Sequence, residues 1–332
     1  MSKKSFVGGA ALLGIAGILA KLIGVFYRIP LTNIIGEQGM GIYQKVYPVY
    51  TLLLTVSSAG VPTGISKMVS ARYAKGDYKG AHRVFRAAIF WLLIIGAALS
   101  IIMYLSSDWL AGIMEDPEAA IAFRTTSPAI FFVALLSAFR GYFQGQQIMM
   151  PTATSQLMEQ ISKVAVGLYL AALWFPMGVQ WGAAGTLLGV SISELCALLL
   201  LVLIYVFTQR KRKLQLRESV RIPLARRQSF QSVSSELASI AIPVTIGSAI
   251  MPIMGFIDAA VINSALIDIG YSLDIARSLY GLLTGVVNTL VSMPTVLSQA
   301  LQMALVPAIS GYKEKRYTQG VKSTSLAGLK LA

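Results

Sequence analysis

One cysteine and one histidine serve all 332 residues. With Cys196 alone, no intrachain disulfide can form. With His82 as the single histidine, no His/Cys/carboxylate group has metal-ligand spacing, so no metal or cofactor is expected. No glycine-rich loop ends in Gly-Lys-Ser/Thr, which excludes a Walker-type nucleotide site. No nucleophile has a base visible beside it, and the chain is not expected to be an enzyme. Charge is scarce as well. Only 13% of the residues are charged, against about 25% in a soluble domain. Acids number 14 and bases 28.

What replaces charge is apolar surface. Hydrophobic residues make up 55% of the chain, and the mean hydropathy is +0.68. Eight segments are long enough to cross about 30 Å of hydrocarbon at about 1.5 Å per residue. They lie near 6–35, 47–70, 87–107, 125–147, 153–174, 183–208, 237–264 and 279–310. Backbone polar groups in lipid must be satisfied within the segment, which favours helices. The fold class predicted is therefore an all-α polytopic membrane helix bundle. The first segment follows Lys3 and Lys4, as a signal peptide would. It is too long for one, holds internal charges and leads straight into further spans, so it reads as a retained helix.

The net charge of +14 is a matter of topology. With a cytoplasmic N-terminus, 22 of the 28 lysines and arginines fall on inner segments. Outer loops hold Lys45, Arg124 and Arg277, while "SDWLAGIMEDPEAA" between the third and fourth spans is acidic. That bias predicts a multi-pass protein of a bacterial cytoplasmic membrane, N-terminus inside. It argues against a nucleic-acid partner. The basic inner loops suit anionic lipid instead.

The longest polar break, "TQRKRKLQLRESVRIPLARRQSFQSVSSE", divides six spans from two. Residues 1–208 form a first lobe, 209–236 a basic cytoplasmic linker, 237–312 the start of a second lobe, and 313–332 a polar cytoplasmic tail. "GIYQKVYPVYTLLLTVSSAGVP" and "SLYGLLTGVVNTLVSMPTVLSQALQMALVP" each run from a tyrosine to a Val-Pro, a faint echo between the lobes. Pro30, Pro62, Pro243, Pro252 and Pro294 interrupt spans, as hinges or simple kinks.

Charges inside spans demand reasons, because one at the bilayer centre is disfavoured by at least about 2.5 kcal/mol. Lys21 and Arg28 are seven residues apart, nearly in line on one helix face. Gly17 and Gly24 leave that face bare. Two aligned cations in a cavity suit an anion, above all a phosphate that arginine grips with two bonds. Glu159 and Lys163 stand at i,i+4 with the acid first, the favourable order. They form either a self-neutralised interfacial pair or, with Arg140, Gln144, Gln146 and Gln147, the lining of an inward-facing cavity. Glu194 and Asp258 lack a basic partner in their own helices. Either pairs across helices, with Lys21 or Arg28 as the simplest partners, or handles a coupling ion.

The stretches "KLIGVFYRIPLTNIIGEQGMGIYQKVYPVY", "SSAGVPTGISKMVSARYAKGD", "FRGYFQGQQIMMPTATSQLMEQISKV" and "PTVLSQALQMALVPAIS" carry a resemblance. Over residues 5–312 the chain resembles the stage V sporulation protein B group of polysaccharide and lipid-linked oligosaccharide flippases. That group lies within the multidrug/oligosaccharidyl-lipid/polysaccharide superfamily. The resemblance implies about fourteen helices in a two-lobe alternating-access architecture, of which eight are expected here in a C-terminally truncated chain. It implies a cargo of undecaprenyl-pyrophosphate-linked sugar, the peptidoglycan precursor included, held at a cationic cavity. The first-helix cations of the lipid II flippases correspond to Lys21 and Arg28. A cation-coupled multidrug exporter, centred on Glu194 and Asp258, is the alternative, and a non-transporting scaffold the third.

Overall fold

The computed structural model describes residues 3–208 and 229–287, with the single positions 319 and 326. Among the described residues every regular element is a helix: α1 Lys3–Ser58, α2 Val61–Ala74, α3 Tyr78–Leu105, α4 Ser107–Ile113, α5 Ala119–Gly145, α6 Met150–Trp174, α7 Val179–Phe207, α8 Phe230–Asp268 and α9 Leu273–Gly281. A π-turn over Leu282–Val287 follows α9. Linker residues 209–228, the eighth segment beyond Val287 with its Pro294, and most of the tail lie outside the described residues. Among the described residues six helical stretches are long and apolar enough to cross a membrane.

The first of these, Leu12–Ala74, has 63 residues. Drawn straight it would run about 95 Å, three times the hydrocarbon thickness. It folds back instead at Gly36, whose φ of 68° and ψ of −178° break α1. A side chain is strongly disfavoured in that backbone region. The reversal is visible in the contacts. Arg28 reaches the Gly285 carbonyl, and a Cβ on Gly285 would stand 2.7 Å from Met40 and 3.5 Å from the Gln44 amide. A straight helix would hold residues 28 and 44 about 24 Å apart. The second arm of α1 ends at Ser58, and α2 starts afresh with Pro62 in its first turn, where a missing N–H does no harm. Pro30 and Pro48 lie inside α1, and Pro243 and Pro252 inside α8.

Asp77 caps α3, its Oδ1 accepting the Gly80 N–H at 2.8 Å. Ser229 caps α8 in the same way at Ser232, so this helix begins seven residues before the predicted start of the second lobe. The α6–α7 pair packs backbone on backbone. A Cβ on Gly189 would lie 2.4 Å from the Gly167 Cα, the close approach by which membrane helices associate.

Two apolar clusters stack along the bundle. One, around Tyr27, Leu31, Ile42, Val46, Phe123 and Leu187, lies toward the acidic end that carries loop 114–118. The other, around Ile65, Phe85, Phe139, Tyr142 and Leu201, lies toward the basic end. Helix α8 is fastened to the helices of residues 3–208 at both ends. Near the basic end Glu236 pairs with Arg72 at 3.0 Å, and Thr245 Oγ1 accepts the Gly60 N–H. Near the acidic end the buried Asn263 amide donates to the Met114 carbonyl at 2.6 Å.

Candidate functional site

Arg140 on α5 anchors a polar group inside the bundle. Its Nε donates to Ser155 Oγ at 3.0 Å and its Nη2 to Glu159 Oε2 at 2.8 Å. Both partners are on α6. The Gln160 amide bonds the other Glu159 oxygen at 3.2 Å. Among the described residues Glu159 thus pairs across helices with Arg140 rather than with Lys163 one turn along. Arginine presents a flat fork that meets a carboxylate squarely, and α5 packs close enough to deliver it.

Glu194 on α7 faces the same group, within electrostatic reach of Glu159, Arg140 and Lys163. It is 5% exposed, and its Oε2 has no hydrogen-bond partner among the described residues. Its expected cross-helix partner was Lys21 or Arg28; among the described residues the cations within its electrostatic reach are Arg140 and Lys163. Gln144 is half-buried one turn beyond Arg140, and its side chain makes no hydrogen bond among the described residues. Gln146 and Gln147 do not line this group. They border a cavity of about 760 Å³ at the basic end, with Tyr73, Tyr78 and Tyr142.

A tyrosine strip from the second arm of α1 runs along the group. Tyr43 and Tyr47 stack with ring centroids 5.5 Å apart, and Tyr50 follows at 5.9 Å. Tyr43 lies within reach of both Lys163 and Arg28, and Tyr50 within reach of Glu159 and Glu194. The strip therefore joins the Arg28 end of the site to the Glu194 end. Sequence reasoning passed over these rings. Their i, i+4, i+7 spacing in "YQKVYPVY" was the available signal, since it puts all three on one helix face.

Arg28 itself donates to two carbonyls of the π-turn, Gly285 at 3.0 Å and Thr284 at 3.4 Å. Lys21 lies within α1, but its side chain is outside the described part. Gly24, three residues further on, comes close to α6, where an added Cβ would stand 3.7 Å from the Gln160 amide oxygen. Asp258 is exposed on α8. It lies within reach of Tyr280, and no contact joins it to the Arg140–Glu194 group among the described residues.

Comparison with known proteins places this geometry in a lineage. The sequence pattern of the family described as "Polysaccharide biosynthesis protein" matches residues 6–313. The chain belongs to that family. Family relatives in Bacillus subtilis (strain 168) include stage V sporulation protein B, 29% identical over 327 residues, or 97% of this chain and 61% of that protein. Another is the lipid II flippase MurJ, 29% identical over 323 residues, or 93% of this chain and 58% of that protein. The chain thus spans about three fifths of the length of these relatives. In fold the chain is similar to solved transporters described as members of the MOP superfamily. An inward-facing multidrug-resistance MATE transporter superposes with a TM-score of 0.66 at 15% identity, covering 100% of this chain and 68% of the other. A MOP superfamily transporter from Pyrococcus furiosus, described as having a binding pocket of reversed polarity, gives 0.59 at 15% identity over 100% and 72%. The chain is a multi-pass membrane protein of that family, helical in every regular element among the described residues.

Proposed function

We propose that this chain carries the first-lobe substrate site of a flippase, one that moves a lipid-linked, pyrophosphate-bearing glycan from the inner to the outer leaflet of a bacterial cytoplasmic membrane. The observation that carries the reading is that Arg28 and Lys163 both lie within reach of Tyr43, while Arg140 is joined to the same tyrosine strip through Glu159, which lies within reach of Tyr50. We assign Lys21, seven residues before Arg28 in the sequence, to the same anion site. Cations held in a low-dielectric interior attract a pyrophosphate far more strongly than the same charges in water. Aromatic faces beside them suit sugar rings and the lipid stem. Gln144 and Glu159 serve as polar lining, Glu159 holding the Arg140 fork in place until the anion competes for it. Identity to a protein named as a lipid II flippase supports the cargo class, and family membership supports transport rather than catalysis. The charge bias supports an inside N-terminus, with anionic lipids against the basic loops and no nucleic acid.

Native mass spectrometry of the purified chain with lipid II tests the reading, beside the Lys21→Ala/Arg28→Ala and Arg140→Gln/Lys163→Gln variants. Each double variant is expected to lose binding at least tenfold while staying folded. Equal binding by all three proteins would overturn the assignment.

A second reading, a cation-coupled drug exporter, draws on the MATE-like fold and on the unpartnered Glu194 oxygen. It predicts dye efflux that depends on Glu194 and Asp258 and ignores Lys21 and Arg28.

A further inference from the structure

Three helical elements meet at the acidic end through one buried carboxylate. Asp116, in the loop between α4 and α5, is 0% exposed. Its Oδ2 accepts from Lys45 Nζ of α1 at 2.9 Å and from Arg277 Nε of α9 at 2.8 Å. Its Oδ1 accepts from Arg277 Nη2. Lys45 is 0% and Arg277 4% exposed. Arg277 also reaches Glu118 at 2.9 Å and Asp274 at 3.5 Å, both on the rim. Burial works against the Arg277 charge, but the Asp116 contact outweighs it and holds the guanidinium above its ordinary pKa.

An ion cluster of this kind is a poor way to glue helices together. Apolar side chains of similar volume usually hold as well or better, because three charges give up their hydration when buried. The cluster has one property an apolar plug lacks. Opened to water, each of its charges regains hydration, so the parted state is not penalised by bare hydrocarbon surface.

The surroundings fit a contact that parts. Helix α8 is held to loop 114–118 by Asn263 and by Ser264, whose Oγ donates to Glu115 Oε1 at 2.8 Å. Helix α9 is held to the same loop through Arg277. Between the two fastenings lies Gly270 at φ 98°, a joint at which α9 can turn while α8 stays. Beneath the cluster α9 crosses α1 without side chains between them. A Cβ on Gly41 would meet the Arg277 carbonyl oxygen at 2.3 Å, and one on Gly281 the Glu37 carbonyl at 2.6 Å. The crossing itself is bare, and what α9 buries beside it is Ala276 and the Tyr280 ring, the apolar area that a swing uncovers.

We propose that Lys45, Asp116 and Arg277 form a reversible latch that closes the acidic end of the bundle, and that α9 swings about Gly270 when it releases. The latch goes beyond the flippase reading and does not depend on the cargo. Asp116→Asn leaves two buried cations facing each other and shifts the closed-to-open ratio by roughly a hundredfold or more, the scale of breaking a buried ion pair. The apolar triple variant Lys45→Met/Asp116→Leu/Arg277→Met locks the closed form, having no charge to hydrate.

The test is a distance measurement on the full chain in lipid nanodiscs without substrate. Spin labels replace Trp109 on α4 and Ile275 on α9, both exposed, in a Cys196→Ala background. Pulsed dipolar spectroscopy is expected to show a longer distance population in Asp116→Asn than in the parent, and a single short population in the triple variant. Should Asp116→Asn fail to fold, Arg277→Gln, which keeps the Lys45–Asp116 bond, is expected to lengthen the distance as well. Unchanged distances in whichever of these two variants folds, or a lengthened one in the triple variant, would overturn the latch. Because no lipid II is added, the outcome is separate from that of lipid II binding.

Discussion

Neutralising Arg140 removes half of an ion pair that lies inside the bundle, and the structure sets how much that should matter. The Nη2–Oε2 distance to Glu159 is 2.8 Å, with the side chains 17% and 16% exposed. At that distance and an effective dielectric of about 20, the attraction is about 6 kcal/mol. Partial exposure lets water take back a large part of it when the pair is broken. We expect a coupling of about 2–3 kcal/mol between the two side chains, below the roughly 3–5 kcal/mol of a fully buried pair. Neutral hydrogen bonds between membrane helices average only about 0.6 kcal/mol, so the two cases separate cleanly. The assay is a double-mutant cycle, Arg140→Met, Glu159→Gln and both together, with unfolding followed in mixed micelles. Arg140→Met is expected to be the worse single change, because it strands Glu159 beside Glu194. Adding Glu159→Gln should recover part of the loss. A coupling under about 1 kcal/mol, with single effects that simply add, would refute the reasoning and make the pair a surface-like contact.

Three further outcomes are expected from the same structure. Gly36→Ala forces a Cβ into a backbone region reserved for glycine, and should destabilise the folded chain by roughly 1–3 kcal/mol in the same micelle titration. Gly189→Val drives a branched side chain into the Gly167 backbone; a loss of about 3 kcal/mol or more is expected, beyond the usual range for overpacking because backbone cannot step aside, seen as aggregation in size-exclusion profiles. Arg124→Ala breaks an exposed pair with Asp108, 42% and 72% exposed, and one hydrogen bond to Ser107 Oγ at 2.9 Å. It should shift unfolding by less than about 1 kcal/mol, a control for the buried pairs.

Helix positions were legible in the sequence because hydrocarbon imposes a length and a composition on every span. The division of residues 12–74 into two passes was legible too, although a single long helix broken at Gly36 was not: periodicity carries no sign of a backbone reversal. The site was legible in parts. Glu194 stood out as a lone acid within a span, and Arg140, Glu159 and Lys163 as the polar lining of an inward-facing cavity. Their pairing did not, since i,i+4 spacing suggested Glu159 with Lys163 and only the α5–α6 packing brings Arg140 to Glu159. Lys45 and Arg277 counted as cations of exposed outer loops. The structure buries both on Asp116, from the acidic stretch already noted for its sign. A charge count reads the sum over a loop and is blind to which charges face each other.

The two fastenings of α8 have a mechanical consequence. A beam clamped near one support by Glu236 and Thr245, and near the other by Asn263, cannot tilt as a rigid rod without tearing a clamp. It can bow. Pro252 sits on the free length between Thr245 and Asn263, where its missing N–H removes one rung of the helix and softens it. Any displacement of one end relative to the other is then taken up as curvature at that point, and α8 works as a leaf spring rather than a lever.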